Sequence, residues 1–359
     1  MAALLYNETM RLYPALVLLL LSALLAGATL RVSAPASPNA ACSAALPDGR
    51  SFLTGGRTPA TSLPLAGYFE KDGTVSTASP MLEARAGHVC VAFADGSVLV
   101  AGGDTGKRGA TNSAEIFHPD TKSWTATGAM LTARTGAAAI LLNNGKVLVA
   151  GGESGGVPAN TLEIYDPAAG RFEQAPGILS APRSRHAIAV LEDGGVLIAG
   201  GFESGKALDS IDLYDPGQNR VAAAGHMSVP RANFTATRLD GSRVLFAGGT
   251  DGSGELASAD VYDAATGRTA PAEPLAAARQ GHIAIRVPGS DQVLIAAGTA
   301  TGRVLDSGEI YSPSLNAFRP AADAAGEGAA ATITVGIFGP DMKIRASKTF
   351  RIHAAPARR

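Results

Sequence analysis

The chain has 359 residues, 46% of them apolar, with 30 basic and 31 acidic side chains. That is enough apolar material for a large core, and a charge balance near zero leaves no electrostatic basis for binding nucleic acid. Aromatic residues are scarce at 5% while glycine reaches 43 residues, a composition of short strands and tight turns rather than long amphipathic helices.

Residues 1–28 stand apart. Arg11 precedes an almost wholly apolar run from Tyr13 to Leu30, which contains Ala26-Gly27-Ala28. A basic start, an apolar middle and a small-residue exit make a secretory signal peptide. An uncleaved anchor helix is the alternative, because a run of about 18 residues is just long enough to span a bilayer. The expected location is therefore exported (periplasmic, secreted or cell-surface), with membrane contact only through this segment. Cys42 lies too far beyond the apolar run to be a lipidated cysteine.

From residue 40 to residue 320 one template recurs. Its mark is a glycine pair at Gly55-Gly56, Gly102-Gly103, Gly151-Gly152, Gly200-Gly201 and Gly248-Gly249, degraded to Ala297-Gly298 in the sixth copy. A period near 50 residues denotes an array of small identical units. Each unit carries four strand signals. The first runs into Asp-Gly or Asn-Gly, as at Asp95-Gly96 and Asn144-Gly145, which suits a tight hairpin. The second is a short aliphatic run such as Val147-Leu148-Val149-Ala150, apolar on both faces, that ends at the glycine pair. The third carries an acid and an aromatic, as in Glu163-Ile164-Tyr165, and the fourth carries a bulky residue such as Trp124, Phe172 or Phe318. Four antiparallel strands per unit make one propeller blade. Cys42 and Cys90 fall on the first strands of adjacent units, so they either face each other across the boundary or are two small buried thiols, the plainer reading.

An aliphatic run ending in Gly-Gly, then a Tyr, then a bulky residue at fixed offsets resembles the kelch repeat. The match covers roughly residues 40–320 and departs from the pattern in repeat one, at Ala297, and at Val221 and Thr269 in place of the bulky residue. The resemblance implies an all-β, kelch-type β-propeller of six four-stranded blades, seven not being excluded. Residues 321–359 add two strand-like runs after an Ala/Gly linker. They read as a domain stub, a ring-closing strand or part of a seventh blade.

Strand direction places the Asp-Gly hairpins on one face and the loops after each glycine pair on the other. The second face holds the variable sequence, where binding usually sits on a rigid scaffold. Its recurring residues are Arg85, Arg134, Arg183, Arg231 and Arg279, with an acid at the start of each third strand (Glu115, Glu163, Asp212, Asp260, Glu309). Repeat one lacks both, which suggests an Arg–acid brace within each blade, against the alternative of an Arg-lined mouth for an anionic ligand. His88, His186 and His282 share one template position in alternate repeats, a pattern that could also array three imidazoles for zinc, although backbone bonding at the strand start is the plainer role. Arg185, Asn233 and His226 break the template on this face and, with Glu203, complete the candidate ligand-binding set.

The expected role is an exported binding module for a carbohydrate or protein ligand, with no cofactor and no metal assigned. The alternatives are a carbohydrate-active enzyme and a structural or adhesion component. Kelch-type propellers include the catalytic domain of galactose oxidase and a periplasmic sialic acid mutarotase. The tyrosines of the repeats are at core positions and none is followed by His, which argues against a copper centre. His186 with Glu203 is the acid–base pair that an epimerase-like reading would use.

Overall fold

The computed structural model describes residues 21–23, 41–70, 74–106, 108–287, 290–321, 331–338 and 344–352. Most of the proposed signal segment, residues 1–28, lies outside them. Among the described residues no helix is long and apolar enough to cross a membrane.

The repeats fold as six four-stranded antiparallel blades, each with its strands in chain order from the inside of the ring outward. Blade three is representative, with strands Ala138–Leu141, Val147–Ala150, Thr161–Asp166 and Arg171–Ile178. Inner strands surround a central channel, so residues from every blade, from Ala44 round to Asp291, line one cavity. The second strands, such as Val98–Ala101 of blade two and Val196–Ala199 of blade four, are buried on both faces because these blades pack against a neighbour on each side.

Apolar clusters lie between blades. Leu148, Ala150 and Leu162 of blade three pack on Ile188, Ile198 and Tyr214 of blade four. The third-strand aromatic stands directly opposite the bulky fourth-strand residue, Phe117 opposite Trp124 and Tyr165 opposite Phe172. The third-strand tyrosines are also anchored through their hydroxyls, whether or not a bulky residue stands opposite: Tyr214 donates to Asn219 Oδ1 at 2.8 Å, Tyr262 to the Ala224 carbonyl at 2.6 Å and Tyr311 to Asn316 Oδ1 at 2.7 Å.

Cys42 and Cys90 form a disulfide with a Cα–Cα distance of 5.9 Å, joining the inner strands of blades one and two. This corrects the reading of two separate thiols. The one-residue stagger between the two positions brings the Cβ atoms within bonding reach across the boundary.

Beyond the ring, Ala331–Phe338 and Ile344–Ile352 pair as a long hairpin, and Leu21–Ala23 adds a third strand. The hairpin is fastened to blade six through Phe350, 1% exposed, in a cluster with Ile283, Ile285, Leu294, Ala296 and Ile310.

The glycine pairs have a steric cause. A Cβ on the first glycine would meet the main-chain carbonyl of the next blade's arginine, at 2.4 Å for Gly151 and Arg183. The second would crowd its own blade's inner strand, at 2.9 Å from His88 Cβ for Gly103. Blade six departs from the pair. There the first position is Ala297, held at φ 54°.

Candidate functional site

The five recurring arginines are interior residues, each at most 1% exposed. Within each of blades two to six the arginine meets the third-strand acid, at 2.6 Å for Arg134–Glu163, 2.7 Å for Arg183–Asp212 and 2.8 Å for Arg85–Glu115. The Arg231–Asp260 and Arg279–Glu309 pairs are both 3.0 Å apart. Each guanidinium also donates to the carbonyl at the first position of the glycine pair, at 2.6 Å for Arg134 to Gly151. The acid accepts from the segment entering the blade, Leu131 N–H to Glu163 at 2.7 Å being one case. Burial pulls Arg134, Arg183, Arg231 and Arg279 below the usual guanidinium range, against the opposing effect of the acids, and pushes Asp212 up despite Arg183. For these four arginines desolvation outweighs Coulomb attraction, and their pairs are held by geometry and by the added hydrogen bonds.

The three histidines do not converge on the axis. They are buried between blades, 5%, 4% and 0% exposed for His88, His186 and His282. Each Cε1 lies 2.4 to 2.8 Å from where a Cβ would stand on the preceding blade's first glycine, Gly55, Gly151 or Gly248. Nε2 of His88 meets Thr54 Oγ1 at 2.9 Å, and Nε2 of His282 meets Thr235 Oγ1 at 2.9 Å. His186 faces blade three, where neither ring nitrogen finds a partner among the described residues. Burial lowers all three to a pKa of about 3, so they are neutral wedges. Among the described residues no group of three or more His, Cys, Asp or Glu could hold a metal ion. The threefold pattern reflects packing between blades rather than a zinc array.

Arg185 and Asn233 stand where the other braced blades have Gly87, Gly136 and Gly281, and all five adopt positive φ, 55° for Arg185 and 51° for Asn233. That conformation turns each N–H toward the preceding blade. Gly136 donates to Gly87 at 2.8 Å, Arg185 to Gly136 at 2.8 Å, Asn233 to Arg185 at 3.0 Å and Gly281 to Asn233 at 2.9 Å. This chain of main-chain bonds rims the loop-face end of the ring. The Arg185 side chain is exposed above it. Asn233 donates to Gln280 at 3.1 Å, and Gln280 to Glu255 at 3.2 Å.

Glu203 is half-buried on the blade-four loop and favours the charged form of Arg183. His226 stands apart on the outermost strand, 70% exposed, with Nδ1 3.2 Å from Asp209. Arg185, Asn233 and Glu203 thus share the central loop face while His226 is at the edge. The His186–Glu203 pairing is not available to a substrate, because His186 is enclosed between blades.

The large cavity opens at the opposite face, that of the Asp-Gly hairpins. It measures about 1070 Å³ and reaches from the inner-strand alanines to Leu46, Phe93, Asn143, Glu192 and Asp291. Arg238 and Arg286 also line it. Sequence reasoning passed over these two, although a signal was present: the last inner-strand position is Ala45, Ala92, Leu141 and Val190 in blades one to four.

Among the described residues, four of the five exposed large apolar side chains lie on the loop face: Leu82 (62%), Leu131 (60%), Val157 (70%) and Ile178 (59%). They cluster in the sector of blades two to four, at the entries to the blades and in the blade-three loop.

Six blades, each built round the same aliphatic strand, with a turn at a glycine pair in the first five and an Arg–acid brace in the last five, define a kelch-repeat β-propeller. The family model that matches, over residues 70–248, is the KLHDC2/KLHL20/DRC7 Kelch-repeats domain. No curated protein matches the chain. Among solved structures it is similar to a novel fungal alcohol oxidase with catalytic diversity among the AA5 family, in complex with copper. That likeness has 16% identity and a TM-score of 0.68 over 94% of this chain and 76% of the oxidase. YjhT is similar at 15% identity and a TM-score of 0.63, over 80% of this chain and 98% of YjhT. At these identities the likeness is one of fold. The residues here do not fit the oxidase's copper: Tyr165, Tyr214, Tyr262 and Tyr311 are buried in the interblade core, at most 1% exposed.

Proposed function

We propose that the chain is an exported binding protein whose loop face receives a protein partner. The kelch propeller supports a binding or interaction role, and the observation that carries the finer reading is the distribution of exposed apolar side chains. Leu82, Leu131, Val157 and Ile178 are concentrated on one sector of the variable face, and clustered exposed apolar surface marks interaction sites. The recurring arginines are consumed by internal braces, whereas Arg185 is an exposed cation on that face. The Cys42–Cys90 disulfide supports an oxidising compartment, in keeping with the apolar N-terminal run.

Two measurements test this reading. Fusion of the chain to a reporter that is active only after export should give signal, and deletion of residues 1–28 should abolish it. Immobilised wild-type protein should retain partners from the extracellular fraction that a Leu82→Ser, Leu131→Ser, Val157→Ser, Ile178→Ser variant does not. Leu315→Ser, altering an exposed leucine on the opposite face, should retain them. Equal retention by all three proteins would sink the loop-face assignment.

A further inference from the structure

We propose that the hairpin-face cavity is a binding site for a small organic oxyanion with an apolar body, held by Arg238 and Arg286. The two arginines end the inner strands of blades five and six, Thr235–Arg238 and Ile283–Arg286. They occupy the same register on neighbouring blades, so they line one arc of the cavity wall. The four other blades have Ala45, Ala92, Leu141 and Val190 there. The scaffold is therefore satisfied by an apolar residue at this position, and a cation on two successive blades does something the fold does not require.

Neither guanidinium is locked into a brace. Both are half-buried, and among the described residues neither makes a hydrogen bond or an ion pair within the protein. The contrast with the five braced arginines is sharp, since each of those has an acid within 3.0 Å and several carbonyls. Three acids face this region. Asp240 accepts its side-chain hydrogen bonds from Arg243, at 2.8 and 2.7 Å, and Arg286 touches it only through the smallest of the charge interactions that hold its carboxyl low. Glu192 and Asp291 are exposed at the cavity rim, where solvent and salt screen them. The recessed arginines face a wall of Ala44, Ala92, Leu141, Ala189 and Val190. Two planar, multidentate donors beside apolar surface match an oxyanion attached to a hydrocarbon body. Thr237 on the same wall adds a hydroxyl. Carboxylates and phosphate monoesters share this chemistry.

The site is distinct from the loop face in position and in residues, so it stands or falls independently of the proposed protein partner. Isothermal titration calorimetry on the full chain at low salt would use hexanoate, hexyl phosphate and hexanol as probes. At least one anion should bind, at least tenfold more tightly than hexanol, and should weaken as sodium chloride is raised. Hexanoate alone binding would assign a carboxylate ligand, and hexyl phosphate alone a phosphate ester. Arg238→Val and Arg286→Val restore the residue that blade four carries, so folding is expected to survive. Each should weaken the anion at least tenfold, and Arg185→Gln on the opposite face should leave it unchanged. Failure of both anions to bind, or binding of hexanol as tight as theirs, would overturn the proposal on wild-type protein alone. Undiminished anion binding by the double variant would overturn it as well.

Discussion

Phe350 of the C-terminal hairpin occupies the space that Gly308 leaves open at the start of the third strand of blade six. A Cβ on Gly308 would stand 2.7 Å from Phe350 Cε1. The equivalent residues are Ala66, Ala114, Leu162, Ile211 and Ala259, each in a cluster with the following blade or facing it. In blade six Phe350 supplies apolar cover to the same face. Phe350→Ala should cost about 3 to 5 kcal/mol, as for a fully buried aromatic. Gly308→Ala should be destabilising too, while Ala259→Gly, its counterpart in blade five, should cost only about 1 kcal/mol. Chemical denaturation of the three variants separates these outcomes. Equal stability of wild type and Phe350→Ala would mean that the hairpin does not hold blade six.

The Arg–acid braces predict an asymmetry between breaking and replacing. Arg134→Ala leaves Glu163 charged and 1% exposed, a loss of about 3 to 5 kcal/mol. Arg134→Met with Glu163→Leu removes both charges and should recover part of that loss. A double-mutant cycle read by urea denaturation measures the coupling. An unchanged midpoint for Arg134→Ala would show that the guanidinium is not bracing the blade.

The histidine wedges make stability depend on pH. Their folded pKa of about 3 lies below the unfolded value, so protons bind preferentially to the unfolded chain. The contribution is fully present above about pH 6.5 and is lost progressively as pH falls from there toward 3. Near pH 5 each histidine should cost about 1 to 2 kcal/mol relative to pH 7.5. His186→Phe installs the residue that blade five carries as Phe234, and it removes a ring with no hydrogen-bond partner among the described residues. Its melting temperature should match or exceed wild type at pH 7.5 and fall less on acidification. His88→Phe should lose about 1 kcal/mol at neutral pH, because Thr54 loses its partner. A melting temperature that is flat from pH 7.5 to 5 would contradict burial of neutral imidazoles.

The glycine pairs predict opposite responses at equivalent positions. Gly151→Ala drives a Cβ to 2.4 Å from the Arg183 carbonyl at φ 56°, and should cost more than about 2 kcal/mol. Ala297→Gly relieves a left-handed alanine but gives up a buried methyl, two effects of about 1 kcal/mol each that nearly cancel. Thermal denaturation of the two variants decides it, and similar losses in both would show that the next blade's carbonyl is not the cause.

Periodicity made the blades readable, because every unit must solve the same packing problem with the same residue types. Glycine spacing, the Tyr165–Phe172 pairing and the joint absence of Arg and acid from repeat one all trace to contacts within or between blades. The disulfide was less legible, since sequence places Cys42 and Cys90 on neighbouring strands without saying that they meet. What escaped was direction. The shared position of His88, His186 and His282 is compatible with pointing at the axis or into the interblade wedge, and only the steric demand of the glycine on the neighbouring blade decides between them. Arg238 and Arg286 escaped because attention to recurring residues passes over a position that departs from its template in only two blades.

The bonds from Gly136 to Gly87, Arg185 to Gly136, Asn233 to Arg185 and Gly281 to Asn233 use main-chain atoms alone. The chain of bonds therefore asks nothing of the side chains at these five positions beyond tolerance of a left-handed backbone, which asparagine meets most cheaply after glycine, and among the described residues only Asn233 of the five spends its side chain on a neighbour, Gln280. A Cβ at Gly136 would have ordinary contacts, the nearest being Arg185 Cγ at 3.5 Å. The rim is therefore a set of interchangeable sockets round the axis. Natural variation or an engineer can rewrite its chemistry one residue at a time while the architecture beneath keeps its register.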